Sequence, residues 1–186
     1  MLTQYIHRGL AKKNFKENTL SAFKYSFKKK YGIETDLQVT KDNQLICFHD
    51  FNLRRKFNLN KNVKDINYSS LKKISKKRKA TVPLLKDLLK ISKNRYPLLL
   101  EIKPLLTKLS LLSLIKLMKK TKKYGIFSFK EKNLINLYKL NKKLTLGLLF
   151  LSTSNLRIIK LKSKKPYVKF LGLEKSFLSN KKLTKI

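Results

Sequence analysis

Between residues 33 and 40 the chain alternates without a break. Ile33, Thr35, Leu37 and Val39 face one way, and Glu34, Asp36 and Gln38 the other. A period of two predicts a strand with one apolar and one polar face. The run Lys41-Asp42-Asn43-Gln44 predicts a turn, and residues 45–48 a second short strand that delivers His49. Upstream, residues 3–6 read as a strand ending at His7, and 9–16 as loop. Residues 19–30 carry Leu20, Phe23 and Phe27 at helical spacing, with Asn18 as the expected N-cap and Gly32 as the stop.

Downstream the two periods take turns. Residues 51–79 look irregular and basic, with one helical piece over 69–76. Val82-Pro83-Leu84 opens a helix reaching about residue 94. Pro97 begins the strand PLLLEIK, of the fully buried type, which Pro104 stops. Helices are expected over 107–122, 131–141 and 154–162, and strands over 124–129, 144–150 and 167–171. A last helix is expected near Ser179. Strands alternating with helices at these spacings predict βα units and a parallel sheet in one domain, residues 1–186. No internal repeat or linker divides the chain.

Composition narrows the picture. The 186 residues are 42% hydrophobic, enough for a real core. No apolar run is long enough to span a bilayer. The N-terminus lacks the pattern of a secretory signal, and the single Cys47 fits a reducing compartment, so a cytoplasmic protein is expected. The formal charge of +36 invites a nucleic-acid reading, but the charge is spread along the chain and is nearly all lysine, 40 against six arginines. Arginine is the better tool for bidentate phosphate and base recognition. We therefore read the excess as coding bias. Specific nucleic-acid binding is not expected; weak, salt-sensitive attraction to an anionic membrane surface is.

Against 46 bases, the ten acids and two histidines stand out. At the C-terminal ends of parallel strands, where (β/α)8 barrels keep their chemistry, fall His7, the pair Glu34 and Asp36, then His49, then Glu101 and Lys103. Glu101 interrupts an apolar strand and needs a partner there. Three carboxylates from adjacent strands make a hard oxygen site suited to Mg²⁺ or Ca²⁺. Two histidines beside it can act as general acid and base. Arg8 and Lys103 can hold a phosphate. Together these groups describe metal-assisted phosphodiester cleavage. Ser128 reads as a small residue at a strand end and Cys47 as an inert strand residue.

An ordered set of motifs resembles the glycerophosphodiester phosphodiesterase family over roughly residues 4 to 150. It comprises His7-Arg8-Gly9, Glu17-Asn18-Thr19 with Ala22-Phe23, Glu34-Thr35-Asp36 with Thr40-Lys41-Asp42, and His49-Asp50 with Leu53 and Arg54. Val82-Pro83-Leu84, Leu100-Glu101-Ile102-Lys103 and Ser128-Phe129 follow. The resemblance implies a (β/α)8 TIM barrel and hydrolysis of glycerophosphodiesters to sn-glycerol 3-phosphate and an alcohol, in lipid and glycerol metabolism. It implies His7 and His49 as the acid/base pair, Glu34, Asp36 and Glu101 as ligands of one divalent cation, and Arg8 and Lys103 on the phosphate. Glu17 and Asp50 are implied as supporting residues. The chain departs from the family pattern at Arg55-Lys56, where Thr-Thr is usual. It also has no Trp, so the tryptophan-bearing strand and the final strand of the family are missing. About six of eight barrel strands are expected, a C-terminally truncated barrel that an oligomeric partner could close. Two other readings stay open: an inactive homologue binding nucleic acid or anionic lipid, and a lysophospholipase D activity at the same site.

Overall fold

The structure is a computed structural model that describes residues 4–11 and 16–179. In chain order it places β1 (Tyr5–His7), α1 (Leu20–Lys28), β2 (Gly32–Val39), β3 (Leu45–Cys47), α2 (Arg54–Phe57), α3 (Tyr68–Lys77), α4 (Leu85–Ser92) and β4 (Leu98–Ile102). There follow α5 (Lys108–Met118), β5 (Tyr124–Ser128), α6 (Glu131–Leu140), β6 (Leu146–Phe150), α7 (Leu156–Ser163) and β7 (Phe170–Leu173). Among the described residues six strands run parallel in the order β1-β2-β4-β5-β6-β7, and β3 pairs antiparallel with β2. The sheet curls into a half-barrel with helices on its outer face, an incomplete TIM barrel with the six barrel strands expected.

The outer face is the main core. Ile33, Leu37, Leu98, Leu100, Ile102, Ile126, Leu146 and Leu148 are buried there. The helices bring Phe23 and Phe27, Leu85 and Leu88, Leu111 and Leu114, Leu134 and Leu137, and Ile159 against them. Each such side chain contributes about 1.5–3 kcal/mol by leaving water. The i, i+3, i+4 spacing that predicted these helices is the spacing that buries them.

The inner face is set by register. Parallel pairing aligns Asp36 with Glu101, Glu101 with Phe127, Phe127 with Gly147, and Gly147 with Phe170. One interior layer therefore runs from acid on β2 and β4 to aromatic on β5 and β7. Phe170 lies directly on Gly147, where an added Cβ would come within 2.4 Å of its ring. The glycine is there so that the ring can lie flat on the sheet.

Several boundaries differ from expectation. Thr19, not Asn18, caps α1: its side chain accepts from the Ala22 N–H, while Asn18 takes a left-handed conformation at φ 52°. The last strand starts at Phe170 because residues 165–168 form a turn, the Val168 N–H reaching the Lys165 carbonyl at 2.9 Å, and Pro166 has no donor to offer a ladder. α5 ends at Met118, short of the lysine-rich residues 119–123. Residues 175–179 form a 3-10 turn, and the rest of the helix expected near Ser179 falls outside the described residues. The stretch 51–79 is more ordered than its sequence suggests. It holds α2, a 3-10 turn and α3 around a second core of Ile46, Phe48, Leu53, Phe57, Val63, Ile66 and Leu71. Among the described residues no helix is long and apolar enough to cross a membrane.

Gly147→Ala should displace Phe170 and destabilise the chain by about 1–3 kcal/mol in chemical denaturation. Adding Phe170→Leu should recover part of that loss, because the two changes share one contact.

Candidate active site

Two residues apart on β2, Glu34 and Asp36 share the inner face, and Glu101 sits directly opposite Asp36 on β4. One oxygen from each lies within 4.8 Å of the others. Asp36 is 1% exposed, and the other two carboxylates are largely covered. Like charges this close repel by a few kcal/mol even at an effective dielectric of about 20. Burial first, then Asp36 and Glu101, push the Glu34 carboxyl up to about 8.

Cations and amides offset part of this. Lys103 Nζ stands 3.0 Å from Glu101 Oε1 and 3.7 Å from Asp36 Oδ1. Lys103 is thus the partner that Glu101 required. Arg8 Nε is 3.1 Å from Asp36 Oδ2 and its Nη1 is 3.2 Å from Glu17 Oε2. The Nε–H is not directed at the Asp36 oxygen, however. It is the one buried side-chain polar atom without a hydrogen-bond partner among the described residues. The contact is therefore one of charge, with the donor left over. Asn18 Nδ2 donates to Asp36 Oδ2 at 3.1 Å, and Asn18 Oδ1 accepts from Thr35 Oγ1 at 2.7 Å.

These positions depend on backbone that most residues avoid. Arg8, Gly9 and Asn18 all have positive φ. The Arg8 N–H binds the Glu34 carbonyl at 2.9 Å, and the Asn18 N–H binds the Arg8 carbonyl at 2.8 Å. The chain thus hooks over the end of β2. A non-glycine residue held left-handed costs about 1–3 kcal/mol and needs surroundings that enforce it. Gly9 is tight as well as left-handed, since a Cβ there would meet Phe23 at 2.8 Å.

His49 lies two residues beyond β3, anchored by buried Phe48, whose N–H binds the Asp36 carbonyl at 2.9 Å. Its Nδ1 is 2.7 Å from Asp50 Oδ1. A carboxylate can only accept, so Nδ1 donates and Nε2 is the ring nitrogen left free to exchange a proton. Gln38 Nε2 fixes the His49 carbonyl at 3.2 Å. Arg55 grips Asp50 through Nε at 2.7 Å and reaches Glu17 Oε1 at 3.1 Å. Burial raises the Asp50 carboxyl, but hydrogen bonds from Arg55 and His49 outweigh it and hold it below its ordinary value. His7 ends β1 with its side chain 71% exposed and Nε2 3.8 Å from Glu34 Oε2. Burial of the rest of the ring, and then Arg8, lower its pKa.

The structure therefore gathers His7, Arg8, Glu34, Asp36, Glu101 and Lys103 in one cluster. It ties His49 to them through Asp50, Arg55, Glu17 and Arg8. Four residues of this network carry little signal in the sequence. Asn18 passed for a helix cap. Glu17 and Asp50 were no more than supporting residues. Arg55 stood out only as a departure from Thr-Thr, and its signal was the rarity of arginine. Ser128 is a strand clamp, donating to the Ile102 carbonyl at 2.7 Å, and the buried Cys47 thiol is pushed up to about 12. A cavity of about 1000 Å³ opens at the opposite ends of the strands and is lined by none of these groups.

The donor set fits a hard divalent cation: three oxygen ligands, one of them a carboxyl pushed up to about 8 by burial and by the two neighbouring acids, and no sulfur in the cluster.

Comparison with known proteins gives the chain's relatives. The profile of the Glycerophosphoryl diester phosphodiesterase family matches residues 7–186. A glycerophosphodiester phosphodiesterase of Bacillus altitudinis is 35% identical over 106 residues, 53% of this chain and 43% of that protein. A human lysophospholipase D is 41% identical over 66 residues, 35% of this chain and 21% of that protein. The chain thus aligns with under half the length of these relatives. Among solved structures, the glycerophosphodiester phosphodiesterase of Thermotoga maritima covers 93% of this chain, which covers 74% of it, at 22% identity and a TM-score of 0.79. A phosphodiesterase of Oleispira antarctica, solved with its product sn-glycerol-3-phosphate, covers 99%, which is 79% of that chain, at 19% identity and a TM-score of 0.83. At these identities the structures share the fold.

The strained carboxylates give a stability test. Between the ordinary 4.5 and about 8, folded Glu34 keeps a proton that the unfolded chain has released. Stability of the metal-free protein should therefore fall as pH rises through that window. Glu34→Gln should flatten the slope and raise metal-free stability by about 0.5–2 kcal/mol, while weakening the stabilisation that added Mg²⁺ or Ca²⁺ gives. Thermal melts across pH, with and without cation, read all three effects.

Proposed function

The chain belongs to the glycerophosphoryl diester phosphodiesterase family, and from that membership and its site we propose that it hydrolyses glycerophosphodiesters to sn-glycerol 3-phosphate and an alcohol. The observation that carries the reading is the meeting of three covered carboxylates with two histidines and two cations at one end of the half-barrel. Glu34, Asp36 and Glu101 would hold one Mg²⁺ or Ca²⁺. When bound, such a cation polarises a phosphoryl oxygen and offsets charge in the transition state.

The chain's own groups supply the rest. Arg8, with its spare Nε–H, and Lys103 hold the phosphate and orient the diester. His7, its pKa lowered by burial and by Arg8, is neutral at physiological pH and accepts the proton of the attacking O–H. His49 gives a proton from Nε2 to the leaving oxygen, and Asp50 behind Nδ1 fixes the ring. Arg55 keeps Asp50 ionised and facing the ring.

Residues 1–186 act in this reading as a single domain, and the buried Cys47 thiol suits a reducing, cytoplasmic setting. A second reading, lysophospholipase D chemistry at the same site, is favoured by the human relative of that name and by an apolar cleft next to His49. It differs only in an acyl chain carried on the glycerol half of the substrate.

Release of glycerol 3-phosphate from glycerophosphocholine and glycerophosphoethanolamine should require Mg²⁺ or Ca²⁺ and stop with chelator. His49→Ala and His7→Ala should each lower kcat by about 10²-fold or more. The acid limb of the rate profile should lie below the ordinary histidine value of 6.5. Turnover indifferent to chelator and to both histidines would contradict the proposal. A stable protein with no turnover that binds nucleic acid or anionic lipid would favour the binding-protein reading instead.

A further inference from the structure

Beside the candidate site lies a cleft of about 640 Å³ at the same end of the half-barrel. Gln38 lines it while donating to the His49 carbonyl, and Phe51 and Pro104, which also line it, directly follow Asp50 and Lys103 in the chain. Three of its side chains are large, apolar and more than half exposed: Phe51 at 53%, Leu105 at 52% and Leu109 at 63%. Lys41, Lys64 and Lys130 stand among them, and no acidic side chain lines the cleft. Phe129, next to Lys130 beyond the end of β5, is exposed too. Apolar side chains cost free energy in water and are not normally grouped at a surface without a use.

We propose that this rim of the active-site mouth docks on an anionic phospholipid surface. Phe51, Leu105 and Leu109 enter the boundary between headgroups and acyl chains, and the three lysines meet the headgroup charge. The choice of lipid over a protein partner rests on charge. The chain carries +36, and the cleft combines lysine with apolar side chains in the pattern of interfacial membrane binders. Lysine alone, as found over the rest of the surface, would give a weak and orientation-free attraction. The apolar group is what fixes one face towards the lipid. Docking this way brings the mouth of the site to the headgroup layer, so the inference gives the proposed hydrolase a lipid-borne source of substrate and rests on that reading for this consequence alone.

The chain has no Trp, so single tryptophans report cleanly. Phe51→Trp and Leu109→Trp, in the full chain, should shift their emission to the blue on vesicles of mixed phosphatidylglycerol and phosphatidylcholine. Leu161→Trp, on α7 at a residue 64% exposed, should not. Pure phosphatidylcholine vesicles should shift none of them. In sedimentation with the anionic vesicles, the combined variant F51S/L105S/L109S, which touches only exposed side chains, should bind at least tenfold more weakly than the parent at equal salt. Equal shifts at all three reporters, parent-like binding by the serine variant, or no vesicle binding would each overturn the proposal. So would emission changes at residues 51 and 109 with duplex DNA but not with vesicles. No turnover enters these readings: a chain that docks but does not hydrolyse contradicts the hydrolase reading alone, and one that hydrolyses but does not dock contradicts this inference alone.

Discussion

Like-charge repulsion between neighbouring strands is the constraint around which this molecule is arranged. The register of β2 on β4 sets Asp36 opposite Glu101, and the pleat adds Glu34 on the same face. Left alone, such a group would push the two strands apart. Nearly every unusual feature nearby answers it. Lys103 stands between two of the acids, and Arg8 faces the third side. Asn18 gives an amide hydrogen to Asp36, and burial beside the other two acids pushes the Glu34 carboxyl up to about 8. The left-handed backbone at Arg8 and Asn18 is what lets the chain reach over β2 to supply those groups. The apolar outer face of the same strands, buried under five helices, provides the free energy that keeps the acids together.

A second arrangement depends on the first. Asp36 is bound through its side chain by Asn18 and through its carbonyl by the Phe48 N–H, so the carboxylate cluster and the His49 segment share one anchor. From His49 the contacts run through Asp50 and Arg55 to Glu17 and back to Arg8. This ring of charge-assisted bonds closes between the segments just after β1 and just after β3, segments far apart in sequence. Arg55 and Lys56 are both part of it, since Lys56 Nζ donates to the Glu17 carbonyl at 3.0 Å. The basic pair that replaces Thr-Thr is therefore built into the site and is not a surface accident of a lysine-rich chain.

How much of this was legible in the sequence follows from where each signal resides. The alternation through β2 and the leucine spacing of α4 to α6 are local patterns, and they placed the sheet, the helices and the carboxylate face correctly. So did the isolation of Glu101 in an apolar strand. Asn18 reads as a helix cap in sequence because its local context suits one; only the long-range bonds to Thr35 and Asp36 decide its role. The second core under residues 51–79 was missed because Leu53, Phe57, Val63, Ile66 and Leu71 follow neither period and are diluted by lysine. Pro166 did signal the late start of β7, but the apolar run after it read more strongly as strand. The docking cleft could not be read at all, since Phe51, Leu105 and Leu109 come from different segments and look like core residues until their exposure is seen.

The central claim is that the strained acids on β2 and β4 form a site for one divalent cation. Titration of the metal-free chain with Mn²⁺, followed by electron paramagnetic resonance of the free ion, tests it without reference to substrate or lipid. The account predicts one tightly held ion per chain, displaced by Mg²⁺ or Ca²⁺ and lost in Asp36→Asn, whose side chain is the most buried of the three. An ion count near zero in a folded chain, or one that Asp36→Asn leaves unchanged, would contradict it.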